Sequence, residues 1–145
     1  MHFEVSLIVK AQREKVYSAY TDFEAWPKWS KQTAKARVLG REGATVSVES
    51  EAASSGRPRI SIAKLTLTPP QSVETESSTR LTKTKKTVRF EEVPEGTKVT
   101  AALDVQVKGR WAWVFAPREW DEAKSSASEA LKSFAEYVEG LDGDL

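Results

Sequence analysis

The sequence predicts an α+β domain in which a curved antiparallel sheet of six or seven strands packs around one long C-terminal helix. Three observations lead to this fold class: an alternating N-terminal strand, a central region rich in Val, Thr and Ile, and a terminal segment of helical periodicity. The length of 145 residues is typical of one domain, so we expect a single domain over residues 1–145.

The N-terminal segment changes its periodicity after about ten residues. Apolar and polar residues alternate from Phe3 onward, which predicts a strand over 2–9 with one buried face. From Ala11 the apolar spacing becomes helical, and Asp22 and Pro27 interrupt it. We therefore expect a short helix that is followed by a break.

The central region, residues 33–108, is divided by glycines and prolines at short intervals. Consecutive strands joined by such short turns must run antiparallel. The pattern predicts a meander of strands at 34–40, 44–53, 57–68, 71–76, 81–92 and 97–108.

The C-terminal segment predicts a long amphipathic helix. It begins at Pro117, which suits a first helical turn, and apolar residues then follow three-and-four spacing until Gly140. A helix over 117–140 would extend about 36 Å, close to the roughly 40 Å of a twelve-residue strand. One helix can therefore lie along the whole sheet.

Two local motifs resemble a known family. The segment from Thr21 to Trp29 has an aspartate followed by a Trp-Pro pair, and the segment from Phe90 to Thr100 looks like a hairpin that enters the last strand. With the terminal helix, they resemble the helix-grip fold of the SRPBCC superfamily, which includes polyketide cyclase/dehydrase-like and START-type proteins. The resemblance spans nearly the whole chain, but its motifs are structural and not catalytic.

The resemblance implies a cavity between sheet and helix for lipids, quinones, polyketides or other apolar ligands. Many members of the superfamily bind such ligands without known chemistry, so the likeness speaks for the fold more than for an activity.

The last strand supplies candidate ligand-binding residues. Its odd-numbered face, which includes Leu103 and Val105, is the apolar and therefore buried one. If the alternation continues past Gly109, Trp111 and Trp113 lie beside the start of the terminal helix. These rings either line a pocket mouth or form ordinary core or a subunit contact.

The inward face of the terminal helix carries small side chains in its first half, among them Ala123 and Ala127. Protein interiors are close-packed, so small residues facing a curved sheet indicate either a close approach of the sheet or a ligand cavity. We expect the cavity and include both alanines among its lining residues.

A hairpin that pairs Glu92 with Thr97 would place three further residues on the buried face: Lys86, Val88 and Phe90. A buried lysine needs a partner or an anionic group of a ligand, because removing its charge from water is costly. The favoured alternative is a bulge at Lys85 or Lys86 that turns the amine to solvent.

The Trp-Pro motif contributes the last candidates. Trp26 is expected to plug the joint between the broken helix and the sheet, whereas Trp29 either joins this plug or forms one wall of the pocket. Asp22 is expected to act as a helix cap or turn residue and not as a catalytic base.

Composition excludes several classes of function. The net charge of +1 gives no field for a polyanion, so no nucleic-acid partner is expected. The chain has no cysteine and one histidine, His2, so we expect no metal and no cofactor. Neither a signal peptide nor a membrane span is visible, which favours a cytoplasmic protein without stable membrane insertion, either a monomer or a homodimer.

Three functions remain open. The leading hypothesis is a non-catalytic binder or carrier of a lipid-like, quinone-like or polyketide-like molecule. The enzymatic alternative is a polyketide aromatase/cyclase-like protein that orients a poly-carbonyl chain and transfers protons through Lys86, Tyr17 or Tyr20. The third is a protein-interaction module that docks through Trp111, Trp113 or the basic strand.

Overall fold

The computed structural model describes residues 2–31, 33–52, 59–78, 82–107 and 117–143. In this part of the chain, strands form one antiparallel sheet and helices lie at two places in the sequence. The strands are β1 (His2–Val9), β2 (Thr33–Glu42), β3 (Thr45–Ala52), β4 (Arg59–Thr68), β5 (Ser72–Ser78), β6 (Thr82–Val93) and β7 (Gly96–Val107). The helices are α1 (Arg13–Tyr20), a 3₁₀ helix (Phe23–Lys28) and α2 (Pro117–Gly143).

The sheet has the strand order β1-β7-β6-β5-β4-β3-β2. Neighbours from β2 to β7 are consecutive in the chain, and β1 pairs with the last strand, Phe3 lying opposite Leu103. The turn between β6 and β7 uses Gly96 at φ +145°, a conformation that favours glycine. The predicted meander is confirmed, with strand ends within about two residues of those expected.

Alternation along each strand separates a core face from a solvent face. The core face carries fully buried side chains from five neighbouring strands: Val46, Val48, Leu65, Val73, Val88 and Val99. Residues between them in the sequence, such as Ile62 and Lys85, are exposed. The curvature of the sheet makes the core face the concave one.

Helix α2 covers the concave face with its second half, where Leu131, Phe134 and Val138 are buried. It runs to Gly143, three residues beyond its expected end at Gly140. A Cβ at Gly140 would meet no atom within 4 Å, so this glycine lies on an open side of the helix and does not terminate it.

The break after α1 has the expected position but a different cap. Asp22 precedes the 3₁₀ helix, yet its side chain makes no capping hydrogen bond; its backbone carbonyl accepts from the N–H of Ala25 at 3.0 Å. The expected role as a side-chain cap is therefore wrong, whereas the expected role as a turn residue holds.

Among the described residues, no helix is both long enough and apolar enough to cross a lipid bilayer.

Candidate functional site

A cavity of about 430 Å³ lies between the concave face and α2. Its floor comes from β6 and β7, including Val88 and Ala101, and its roof comes from α2. The segment that follows α1 forms a side wall through Tyr20, Trp26 and Trp29. The volume falls in the range of roughly 300 to 1,000 Å³ that is usual for small-molecule sites.

Small residues on α2 create this space. Ala123, Ala127 and Ala130 line the cavity, and Ser126 lies among them. Leu131, which follows Ala130 directly, and Phe134, about one turn later, also line the cavity, and both are buried. The small residues of α2 predict either a close approach of the sheet or a cavity. The structure contains the cavity.

The side wall is a cluster of aromatic rings. Trp29 packs against Phe134 of α2 at 4.9 Å between ring centroids, and Tyr20 packs against the same ring at 5.6 Å. The Nε1–H group of Trp26 donates to the carbonyl oxygen of Tyr20 at 2.8 Å, which holds the 3₁₀ helix on the end of α1. These contacts make the side wall of the cavity apolar and aromatic.

Lys86 faces the cavity. Glu92 lies opposite Thr97, as expected, and the ladder then runs without a register shift to Lys86 opposite Leu103. The bulge that was the favoured alternative for this lysine is therefore absent. The side chain is partly buried, and its Nζ lies 5.8 Å from the centroid of the Tyr20 ring, a cation–π contact.

Two polar groups near this site have no hydrogen-bond partner among the described residues. One is the Nε1–H group of Trp29, a cavity-lining residue, and the other is the hydroxyl of Thr75. Thr75 stands directly opposite Lys86 in the β5–β6 ladder and so shares its face. Buried polar groups are normally satisfied, so both groups are unusual. Trp29 lines the cavity, whereas Thr75 is not among its lining residues.

Tyr17 lies behind the aromatic wall and is not among the residues that line the cavity. Its ring packs edge-on against Phe90 at 5.3 Å, and burial raises the pKa of its hydroxyl above 10.0. This phenol therefore stays protonated at neutral pH and serves as core. Of the three proton donors that were considered, Lys86 and Tyr20 reach the cavity.

The structure brings six of the expected binding residues to the cavity: Trp29, Lys86, Val88, Leu103, Ala123 and Ala127. Phe90 lies deeper in the core, against Tyr17 and Tyr20, and Val105 is not among the lining residues. Trp111 and Trp113 fall outside the described residues. That these side chains bind a ligand stays a prediction.

Sequence reasoning missed several lining residues. The sequence assigns Trp26 to a plug, names Tyr20 only for the enzymatic alternative and does not include Phe134 among the binding residues, yet all three line the cavity. Leu131 and Ser126 were also not included. Leu131 could have been found from the sequence, because it lies four residues after Ala127 and residues four apart share a helix face.

Comparisons with known proteins agree with this architecture. Residues 1–139 match the family model described as polyketide cyclase/dehydrase and lipid transport. No curated protein matches the chain significantly. Each of the solved structures described below is less than 25% identical to this chain and therefore shows similarity of fold alone.

A protein of Thermus thermophilus has 18% identity and a TM-score of 0.84, with 97% of this chain and 99% of that chain covered. The Zhui aromatase/cyclase from a Streptomyces species has 16% identity and a TM-score of 0.81, with 96% and 93% covered. A START superfamily protein from Mycobacterium smegmatis has 21% identity and a TM-score of 0.80, with 97% and 98% covered.

The strand order, the broken helix after β1 and the long terminal helix are those of the helix-grip fold. The family model covers all of these elements up to Glu139, near the end of α2. This chain therefore belongs to the polyketide cyclase/dehydrase and lipid-transport family, as its resemblance to the SRPBCC superfamily led us to expect.

Proposed function

We propose that this protein binds a hydrophobic small molecule in the cavity between its sheet and α2. The observation that carries the proposal is the cavity itself, about 430 Å³ of space roofed by alanines and walled by aromatic rings. In a close-packed interior this space would ordinarily be filled by larger side chains, because empty apolar space costs stability. Space kept open in this way is best explained by a ligand that fills it.

The lining supports an apolar and partly aromatic ligand. Trp29 and Phe134 present ring surface, while Val88 and Leu103 present aliphatic surface. The family description, which includes lipid transport, supports the same class of ligand. We assign the protein to binding or carriage of a lipid-like, quinone-like or polyketide-like molecule.

The test uses the neutral fluorescent probe N-phenyl-1-naphthylamine and the variant Ala127→Trp. We expect the wild type to enhance probe fluorescence, and we expect the indole at position 127 to occupy the cavity and weaken binding at least about tenfold. The variant should still fold, because a side chain that enters existing space avoids most of the overpacking penalty of about 1 to 3 kcal/mol.

Ser125→Trp is the matched control, since Ser125 is exposed on the same helix. It should leave the affinity for the probe unchanged. If Ala127→Trp folds and binds as tightly as the wild type, the ligand site lies elsewhere; if it unfolds, the space was already filled. Native mass spectrometry of the purified protein would identify a co-purifying ligand directly.

A second candidate is an aromatase/cyclase-like enzyme. The observation in its favour is that two groups able to move protons, the amine of Lys86 and the hydroxyl of Tyr20, belong to lining residues of the cavity. Similarity to the Zhui aromatase/cyclase supports the same possibility through its fold. Incubation with a linear poly-carbonyl thioester should then produce an aromatic absorbance band, and Lys86→Met should abolish it while Lys83→Met should not.

A further inference from the structure

We infer that the ligand is an acidic amphiphile, an apolar body carrying one anionic oxygen group, and that Lys86 pairs with that group inside the cavity. The inference rests on the proposed function and adds to it the charge and the orientation of the ligand. It comes from the environment of one side chain.

Lys86 is the only charged residue among the described residues that line the cavity. Its position is set by an unbroken ladder on both sides, with Thr75 opposite in β5 and Leu103 opposite in β7. The strand therefore cannot turn the amine outward without breaking pairs with two neighbours. An uncompensated ammonium in such a place costs free energy, which an anionic partner would recover.

Within the described part of the chain, no carboxylate lies within 4.0 Å of the Lys86 amine; its one charge-related contact is with the face of Tyr20. The neighbouring lysine provides the contrast. Lys85 projects to the solvent face, where the ladders place Glu76 on one side and Asp104 on the other. The cross-strand neighbours of the exposed Lys85 are therefore acidic. Those of Lys86, in the cavity, are the uncharged Thr75 and Leu103.

An unpartnered donor of a lining residue, the indole N–H of Trp29, supports an acceptor group in the cavity. The ring of Trp29 packs on Tyr20 at 6.1 Å between centroids. Lys86 contacts that same Tyr20 ring. An ammonium and an indole N–H both donate hydrogen bonds, and hydrogen bonds to an ionised acceptor are the strong ones.

The experiment compares two probes that share one carbon skeleton. N-Phenyl-1-naphthylamine is neutral, and 8-anilinonaphthalene-1-sulfonate is the same molecule with an added sulfonate. We expect the wild type to bind the sulfonate roughly tenfold or more tightly than the neutral probe, since a hydrogen bond to a charged group contributes about this factor. Lys86→Met should remove that preference, so that the variant binds the two probes with affinities within about twofold of each other.

Lys83→Met is the matched control, because it removes the same charge from the solvent face of the same strand, where Lys83 is exposed. It should keep the preference for the sulfonate. Lys86→Gln supplies a second neutral variant if Lys86→Met fails to fold, and it should lose the preference as well.

Equal affinity of the wild type for both probes, or a preference for the sulfonate that survives in the neutral variants at position 86, would overturn the inference. This outcome differs from failure of the proposed function, in which the neutral probe does not bind or is insensitive to Ala127→Trp.

Discussion

Gly96 shows how closely single residues are constrained around the β6–β7 turn. Its φ of +145° is a conformation that side-chain-bearing residues rarely adopt, and a Cβ there would run into the carbonyl oxygen of Val9. The Cα of Lys10 and the backbone nitrogen of Ala11 would both lie at 3.1 Å. These atoms belong to backbone, so none can move aside at low cost.

We therefore expect Gly96→Ala to lower the free energy of unfolding by about 2 kcal/mol or more, as measured by urea denaturation. Gly40→Ala is the control, because a Cβ at Gly40 meets nothing within 4 Å. It should change stability by no more than about 0.5 kcal/mol. An equal effect of the two substitutions would contradict the role assigned to the turn.

Tyr17 leads to a pH-dependent prediction. Burial raises the pKa of its hydroxyl above 10.0, so above about pH 10 the unfolded chain releases this proton while the folded chain retains it. The contribution of the Tyr17 hydroxyl to the free energy of unfolding is fully present below about pH 10. It is lost as the pH rises towards the pKa of the folded state.

Tyr17→Phe removes this titration and also a hydroxyl without a partner among the described residues. We expect the variant to be at least as stable as the wild type at about pH 8, and its relative stability to increase above about pH 10. Urea midpoints measured across this range test the expectation, which fails if the difference between the two proteins does not change with pH.

At the level of elements, α2 has two halves with different tasks. The first half leaves space above the sheet through its alanines, and the second half anchors the helix through side chains such as Phe134, which is 1% exposed. That ring contacts both Trp29 and Tyr20, so it joins the helix to the wall of the cavity.

Phe134→Ala should therefore cost about 3 to 5 kcal/mol of unfolding free energy, through lost burial and the space left behind. Lys132→Ala, at an exposed position of the same helix, should stay within about 0.5 kcal/mol of the wild type. Thermal or urea denaturation of both variants measures the difference. A loss below about 1 kcal/mol for Phe134→Ala would show that the second half of α2 is not the anchor.

For the whole molecule, the balance of charge decides which partners are plausible. Lys and Arg number 22 and Asp and Glu number 21, and acidic neighbours flank basic ones on the solvent face of the sheet, as Glu76 and Asp104 flank Lys85. Such a surface neutralises few phosphates, so binding to duplex DNA should be weak and lost between about 50 and 200 mM salt. A gel-shift assay that found salt-resistant nanomolar binding would refute this expectation.

The sequence by itself determined the fold class, the order of the elements and the buried faces of the first and last strands. These properties depend on local periodicity and on the residues that form turns, and both can be recognised in the sequence. Lys86 is an example. If Glu92 pairs with Thr97 and no bulge intervenes, alternation alone places Lys86 on the concave face of the sheet.

Only the tertiary structure decided whether that bulge exists and which distant residues meet around the cavity. Tyr20 and Trp26 come from the broken helix and Phe134 from α2, and no spacing in the sequence relates them. Periodicity orients a side chain about its own element but says nothing of the distance between elements that do not follow each other. The aromatic wall and the unpartnered indole N–H of Trp29 arise from packing between such elements, and so they became visible only in three dimensions.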